Sequence, residues 1–248
     1  MEDFRLAVVS DIHGNLPALE AVVADFRRRG VDAVVNLGDS LSGPLYPRET
    51  AQYLMEQDWV QLAGNHERQI LDERARERGP SDEFAHSCLT AQQLEWIASL
   101  RPSLQYAPDV LLCHGTPSSD LVYLIEAVEA GRTHIADPAL LQERLGPTDA
   151  ALIVCGHSHT PRSVRSLRGQ LVVNPGSVGL PGFTANYPTP HVVENASPDA
   201  RYAIVERRND AWTSSLLAVS YDYRPLAELA RQRGREEWAR LLTTGYAN

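Results

Sequence analysis

Five short apolar runs recur along the chain: LAVVS (6–10), AVVNL (33–37), WVQLA (59–63), VLLC (110–113) and ALIVC (151–155). Runs this short, without polar alternation, predict strands covered on both faces. Between the first two, NLPALEAVVADFRRRG sets Leu16, Leu19, Val22, Val23 and Phe26 on one helical face, with Asn15 as N-cap and Gly30 as stop. Strand, helix and strand in that order predict a βαβ unit. The pattern predicts further helices over 48–56, 66–78, 90–99, 138–145 and 225–242.

Beyond Gly156 the texture changes. SVRSL, QLVVN, RYAIVER and AWTSSLLAV are strand-like runs separated by RG, NPG, PG and ND turn signals, which predicts antiparallel strands. The sum is an α/β fold, a mixed β-sandwich of two sheets flanked by helices, in one domain over 1–248. The stretches 115–150 and 176–199 are rich in Gly, Pro and Ser and hold one clear helix between them, so they read as insertions or loops over a site. There is no internal repeat and no low-complexity tract.

At 248 residues and 43% hydrophobic content the chain can bury a sizeable core. No apolar run reaches the roughly 18–20 residues that span a bilayer. The opening MEDFRLAVVS has no basic segment ahead of its apolar stretch, so a cytoplasmic protein without membrane association is expected. Cys88, Cys113 and Cys155 are an odd number without CxxC spacing and read as core residues. A net charge of −9 argues against broad nucleic-acid binding, and a nuclease reading lacks an obvious basic groove. All 23 basic residues are Arg, which excludes Schiff-base chemistry and a Walker-loop lysine. Metal ions, Arg and backbone amides remain for binding phosphate.

Each of the five apolar runs is followed within a few residues by a side chain able to bind metal: Asp11 and His13, Asp39, Asn65, His114, then His157 and His159. Sites in open α/β sheets form outside the carboxyl ends of strands, so these residues are expected to converge on one edge. Two carboxylates, one amide oxygen and four imidazoles are a mixed N/O set that suits Mn²⁺, Fe or Zn²⁺ better than Ca²⁺ or a thiolate-held zinc. Seven donors exceed the needs of one tetrahedral ion. With one carboxylate bridging, they suit two ions roughly 3.5–4 Å apart, the spacing that clamps an in-line phosphoryl displacement. Taken singly, Asp11 can cap a helix, Gly-Asp at 38–39 is a common turn, and Glu67 is an ordinary first-turn acid. The ordered conjunction carries the chemistry, with GHSH its strongest member.

In this order, DxH (Asp11, His13), GD (Asp39), GNHE (Gly64 to Glu67), HG (His114, Gly115) and GHxH (His157, His159) resemble the calcineurin-like metallophosphoesterase superfamily. NPGSVG (174–179) resembles a feature of its small prokaryotic phosphodiesterase-like branch. The resemblance implies that Asp11, His13 and His159 hold one divalent metal, that Asn65, His114 and His157 hold a second, and that Asp39 bridges them. Mn is the first choice, with Fe, Zn or Ni as alternatives. It also implies that His66 faces the scissile phosphate, where it stabilises charge or protonates the leaving oxygen.

Some relatives of this type carry GDxVDRG, whereas the stretch here is GDSLSGPLYP (38–47), without the second Asp and the Arg. That lowers a protein-phosphatase reading and favours hydrolysis of a small phosphodiester, with a nucleotide within range. A phosphomonoesterase or dinucleoside polyphosphate hydrolase is the nearest alternative. A non-catalytic scaffold is a further one, disfavoured because the whole set is present. Arg68 and Arg162 are candidates to reach a phosphate, and Tyr46 and Tyr187 to stack on a base, while ordinary surface or packing roles compete for all four. His86, His134 and His191 read as structural or surface residues.

Overall fold

A computed structural model describes residues 3–74, 76, 78–209 and 211–247. In the first strand, β1 (Phe4–Val9), Leu6 and Val8 enter one apolar cluster while Ala7 and Val9 enter another. That two-sided burial is why its sequence lacks polar alternation. Helix α1 (Leu16–Arg29) covers the second face with Leu19, Val22, Val23 and Phe26, capped by Asn15, whose side chain accepts from Ala18 N at 3.2 Å. Each such side chain gains ~1.5–3 kcal/mol by leaving water. β2 (Ala33–Asn36) then pairs parallel with β1; after α2 (Pro47–Met55), β3 (Val60–Gln61) pairs parallel with β2.

The next helix, α3 (Asn65–Ile70), is shorter than the one expected over 66–78, of which residues 75 and 77 lie outside the described set. After Leu71 the segment DERARERG has no large apolar residue to hold a helical face against the core. The chain instead starts a new helix, α4 (Pro80–Cys88), with Pro in its first turn, which the sequence reading did not include. Helix α5 (Ala91–Ser99) follows behind a Thr90 cap. β4 (Ser103–Ala107), also unforeseen, turns back antiparallel onto β5 (Val110–Cys113).

The two stretches read as loops each contain a hairpin. β6 (Glu126–Glu129) and β7 (Arg132–Ile135) meet at Ala130 and Gly131, both with positive φ, ahead of α6 (Pro138–Leu145). β8 (Leu152–Val154), β9 (Arg162–Arg165) and β10 (Leu171–Asn174) precede the second hairpin, β11 (Gly182–Ala185) with β12 (His191–Glu194). Two long antiparallel strands follow, β13 (Ala200–Arg208) and β14 (Ala211–Val219); of the turn signal between them, Asp210 lies outside the described residues. The helix expected over 225–242 is two, α7 (Arg224–Gln232) and α8 (Glu236–Thr244), broken where Gly234 takes φ 72°.

One sheet runs β14-β13-β1-β2-β3 and the other β4-β5-β8-β10-β9. They pack face to face through Leu6, Val8, Val35 and Leu37 on one side and Leu112, Val154 and Val173 on the other. Leu141 and Leu145 of α6 cover the outer face of the second sheet. A third sheet, β11-β12-β7-β6, comes entirely from the two stretches read as insertions and adds to the expected pair. The parallel strands β1, β2, β5 and β8 bring the loops that follow them to a common rim. Among the described residues no helix is long and apolar enough to cross a membrane.

Candidate metal centre

The loops at this rim are strained where the chemistry-bearing residues sit. Asp11, His13, Asp39, His157 and His159 all take positive φ, between 53° and 68°. Asp and His tolerate this region better than most residues, yet each instance still costs ~1 kcal/mol or more. Loop-to-loop hydrogen bonds offset that cost: Asp11 N donates to Gly38 O at 2.9 Å, His13 N to Asp39 O at 3.0 Å and Gly156 N to His114 O at 2.7 Å. Gly64 is required by close approach, since a Cβ there would meet the Asp39 carboxylate and the His114 ring.

The donor atoms fall into two groups. Those of Asp11, His13 and His159 lie within 4.8 Å of one another, and so do those of Asp39, His114 and His157. His13 Nε2 is 3.1 Å from His159 Nε2, His159 Nε2 is 3.3 Å from Asp11 Oδ1, and His114 Nε2 is 3.1 Å from Asp39 Oδ2. Asn65 is buried beside them, its side-chain amide donating to Gln69 at 3.2 Å.

Backbone carbonyls fix the tautomers. Nδ1 of His13, His114 and His159 donates to Ser42 O (2.8 Å), Leu37 O (2.8 Å) and Leu180 O (2.7 Å), which leaves the Nε2 lone pairs aimed into the shared space. His157 is held the other way, Nε2 donating to Leu121 O at 3.1 Å, so Nδ1 is free to ligate. Two imidazole lone pairs facing each other at 3.1 Å repel unless a cation or proton lies between them. Asn65 Oδ1 is buried without a hydrogen-bond partner among the described residues, and Asp11 Oδ1 and His114 Nε2 face only an imidazole and a carboxylate of the same two groups. Such atoms cost ~1–3 kcal/mol each when unsatisfied, and all three are donors that a metal would satisfy.

Electrostatics keep most of the set ready to ligate. Burial, reinforced by His159 and His66, pushes His13 down to about 3, and burial with His114 beside it holds His157 at about 4. Burial opposes ionisation of Asp11 and Asp39, but the neighbouring imidazoles outweigh it and keep both carboxyls below their usual range. His114 is the exception: burial works against its charge, yet Asp39 lifts it to about 10, so in the metal-free protein a proton lies where a cation would bind.

Buried side chains brace these loops. Glu67 Oε2 accepts from Asp39 N (2.8 Å) and Gly64 N (2.7 Å), and Oε1 from Ser40 N (2.8 Å), so one carboxylate ties the Asp39 loop to the turn carrying Asn65 and His66. In NPGSVG, Asn174 Nδ2 donates to Gly156 O at 2.7 Å and Ser177 Oγ to Asp11 O at 2.7 Å, which locks the GHSH loop to the first one.

His66 stands beside both groups, partly exposed, with its backbone N–H on Asp39 Oδ1 at 2.9 Å and its ring 5.4 Å from that of His13. Its Nδ1 lies 2.7 Å from Oδ1 of buried Asp82 on α4. Desolvation opposes the charge on His66, but Asp39 and then Asp82 outweigh it and raise the pKa to about 9. Sequence reasoning missed Asp82, which reads as a helix-capping acid after Gly-Pro and does cap, Oδ2 accepting from Gly79 N at 3.1 Å.

The rim opens into a cleft of about 620 Å³. Its floor holds His13, Asp39, Asn65, His66, His157 and His159; its other wall comes from Tyr123, the segment Phe183 to Tyr187, and Arg235, Trp238 and Arg240 at α8. The last group had no signal in the sequence. Tyr123 packs on His157 with ring centroids 4.9 Å apart and donates its hydroxyl to His191 Nε2 at 2.8 Å, which gives His191 a structural partner. Arg68 and Arg162 turn to Asp120 (2.8 Å) and Glu126 (3.5 Å), and Tyr46 packs with Leu45 and Trp238; of the four sequence candidates, Tyr187 is the one that lines the cleft.

Residues 4–196 match the sequence model described as the calcineurin-like phosphoesterase superfamily domain. The chain is 24% identical over 256 aligned residues to the uncharacterized protein MJ0912 of Methanocaldococcus jannaschii, with 94% of each chain covered. The fold is similar to that of a metallophosphoesterase from Sphaerobacter thermophilus, with a TM-score of 0.76 at 24% identity over 98% of this chain and 100% of the other.

Proposed function

The chain belongs to the calcineurin-like phosphoesterase superfamily, and from that premise we propose that it hydrolyses a small phosphodiester at this rim with two divalent cations, manganese first among them. One would be held by Asp11, His13 and His159, the other by Asn65, His114 and His157, with Asp39 shared. The observation that carries the reading is the pair of largely buried ligand groups, each within 4.8 Å, in which the Nε2 lone pairs of His13 and His159 face each other at 3.1 Å with both Nδ1 protons committed to carbonyls. Such cations supply Lewis acidity, acidifying water and screening the charge of a phosphoryl group.

The chain's own residues supply the rest. The four backbone carbonyls fix each imidazole's donor nitrogen, and Glu67 fixes the Asp39 loop, so the donors need no reorganisation on binding. His66, protonated at neutral pH with Nδ1–H on Asp82, presents Nε2 to the cleft and protonates the departing oxygen, a contribution of roughly 10²–10⁴-fold. The stretches 115–150 and 176–199 shape specificity through Tyr123 and Phe183 to Tyr187. A cytoplasmic setting belongs to the same reading, supported by three free cysteines, two of them buried.

The test is an assay of manganese-loaded protein on an aryl phosphodiester, cyclic nucleotides, dinucleoside polyphosphates and sugar phosphates. Chelator-sensitive cleavage of diesters is the expected result. Cleavage of monoesters alone overturns the diester assignment; no cleavage with less than one metal per chain favours a scaffold.

A further inference from the structure

The cleft wall facing the candidate metals is only half built by the residues that match the family. Phe183 to Tyr187 fall inside 4–196, whereas Arg235 and Arg240 come from the C-terminal helices beyond it. Two of its members are exposed where they line the cleft. Tyr187 is 56% exposed, an aromatic ring presented to the cleft rather than packed in the core. Of the two guanidinium groups in the wall, Arg235 gives Nε to Glu237 at 2.6 Å and Nη2 to Ser81 at 3.0 Å, so its charge is compensated in place. Arg240 donates to the carbonyl of Ala247 at 2.6 Å and has no carboxylate partner among the described residues.

We propose that Tyr187 and Arg240 form a selecting subsite for a nucleotide: the base stacks on Tyr187 and a phosphate beyond the scissile one pairs with Arg240. The proposal rests on reading the rim as the site of the scissile phosphate. A cleft of about 620 Å³ lies in the ~300–1,000 Å³ range of sites that enclose a whole small organic ligand, far more than a bare phosphoryl group needs. A tyrosine face accepts any base, and a guanidinium matches phosphate geometry through paired N–H donors. A chain of net charge −9 repels polyanions at long range, so a wall cation with no carboxylate partner among the described residues adds to the candidate metals in holding such a ligand. A sugar phosphate offers no flat ring, and a simple aryl diester no second anion.

The experiment is calorimetric binding of inorganic phosphate, adenosine 5′-monophosphate and adenosine 5′-diphosphate to the manganese-loaded protein. The diphosphate is expected to bind roughly tenfold or more tightly than phosphate, the scale of a single base–aromatic stack. Tyr187→Ala and Arg240→Ala each remove most of that preference, and Tyr187→Phe retains it because stacking needs the ring and not the hydroxyl. Both side chains are at the cleft surface, and melting curves check that the variants fold. No preference in the wild type, or an unchanged preference in both alanine variants, overturns the subsite. Absence of ester cleavage with the binding preference intact would instead remove the hydrolase reading and leave the subsite standing.

Discussion

His66 and Asp82 sit on successive helices and meet at 2.7 Å between Nδ1 and Oδ1. The carboxylate is buried and the imidazole is open to the cleft on its other side, so the pair sets both the ring's orientation and its affinity for a proton. Asp82→Asn should therefore lower kcat by roughly tenfold or more while manganese binding stays intact. The direction of the pH effect follows from the raised pKa. On the proposed role of His66 the acid form acts below about 9, and losing Asp82 should move the alkaline limb of kcat/KM toward the ordinary histidine value of 6.5. A profile that coincides with wild type would remove Asp82 from the mechanism.

Glu67 acts on the site without touching it. Replacing its carboxylate by an amide in Glu67→Gln sets an N–H₂ group against one of three backbone N–H donors that now point at oxygen. The expected cost is ~1–3 kcal/mol of folding stability and a loss of manganese affinity on the order of 10–100-fold. Denaturant melts and a metal titration read the two effects separately. Wild-type metal affinity in this variant would reduce Glu67 to a helix cap.

Metal binding should expel a proton. His114 carries a pKa of about 10 through Asp39, so at pH 7 the proton it holds competes with the cation for the same lone pair. Calorimetry in two buffers of different ionisation enthalpy should show about one proton released per chain, with affinity rising between pH 6 and pH 8. Binding heats independent of buffer would mean that His114 is not a ligand.

Glu126 offers a test outside the site. Burial lifts its carboxyl to about 7 from 4.5, with Ser158 and the Arg162 guanidinium at 3.5 Å only partly offsetting the effect. A raised folded-state pKa favours folding below the unfolded value and weakens it as pH climbs through about 7. Glu126→Gln should melt close to wild type at pH 4.5 and above it at pH 8.5, by an amount on the order of 3 kcal/mol or less. Equal melting temperatures at both pH values would show that Glu126 is solvated when folded.

The two-sheet sandwich was legible because each buried strand left a run of apolar residues with no polar alternation, and the rim because each run ends near a residue of unusual chemistry. Both hairpins of the third sheet escaped notice for a physical reason: EAVE, RTHI, GFTA and HVVE are only four residues long, and HVVE alone alternates in burial, so no period can be read. The helix over 66–78 looked continuous because Arg and Glu are good helix formers, yet propensity without an apolar face does not hold a segment to a core. Glu67 was visible as a helix-end acid, Asp82 sits in a helix that no pattern announced, and what both do at the rim is tertiary. Arg240 and Trp238 reach the cleft only because α8 packs with Leu45, Leu180 and Phe183 beside the rim, which no local pattern announces.

The proposed hydrolysis depends on seven side chains gripping two cations at one rim. Crystals soaked in manganese and measured at the metal's absorption edge test this directly. The prediction is two anomalous peaks roughly 3.5–4 Å apart, one against Asp11, His13 and His159, the other against Asn65, His114 and His157, with Asp39 touching both. A single peak, or manganese bound away from Asp39, would contradict it.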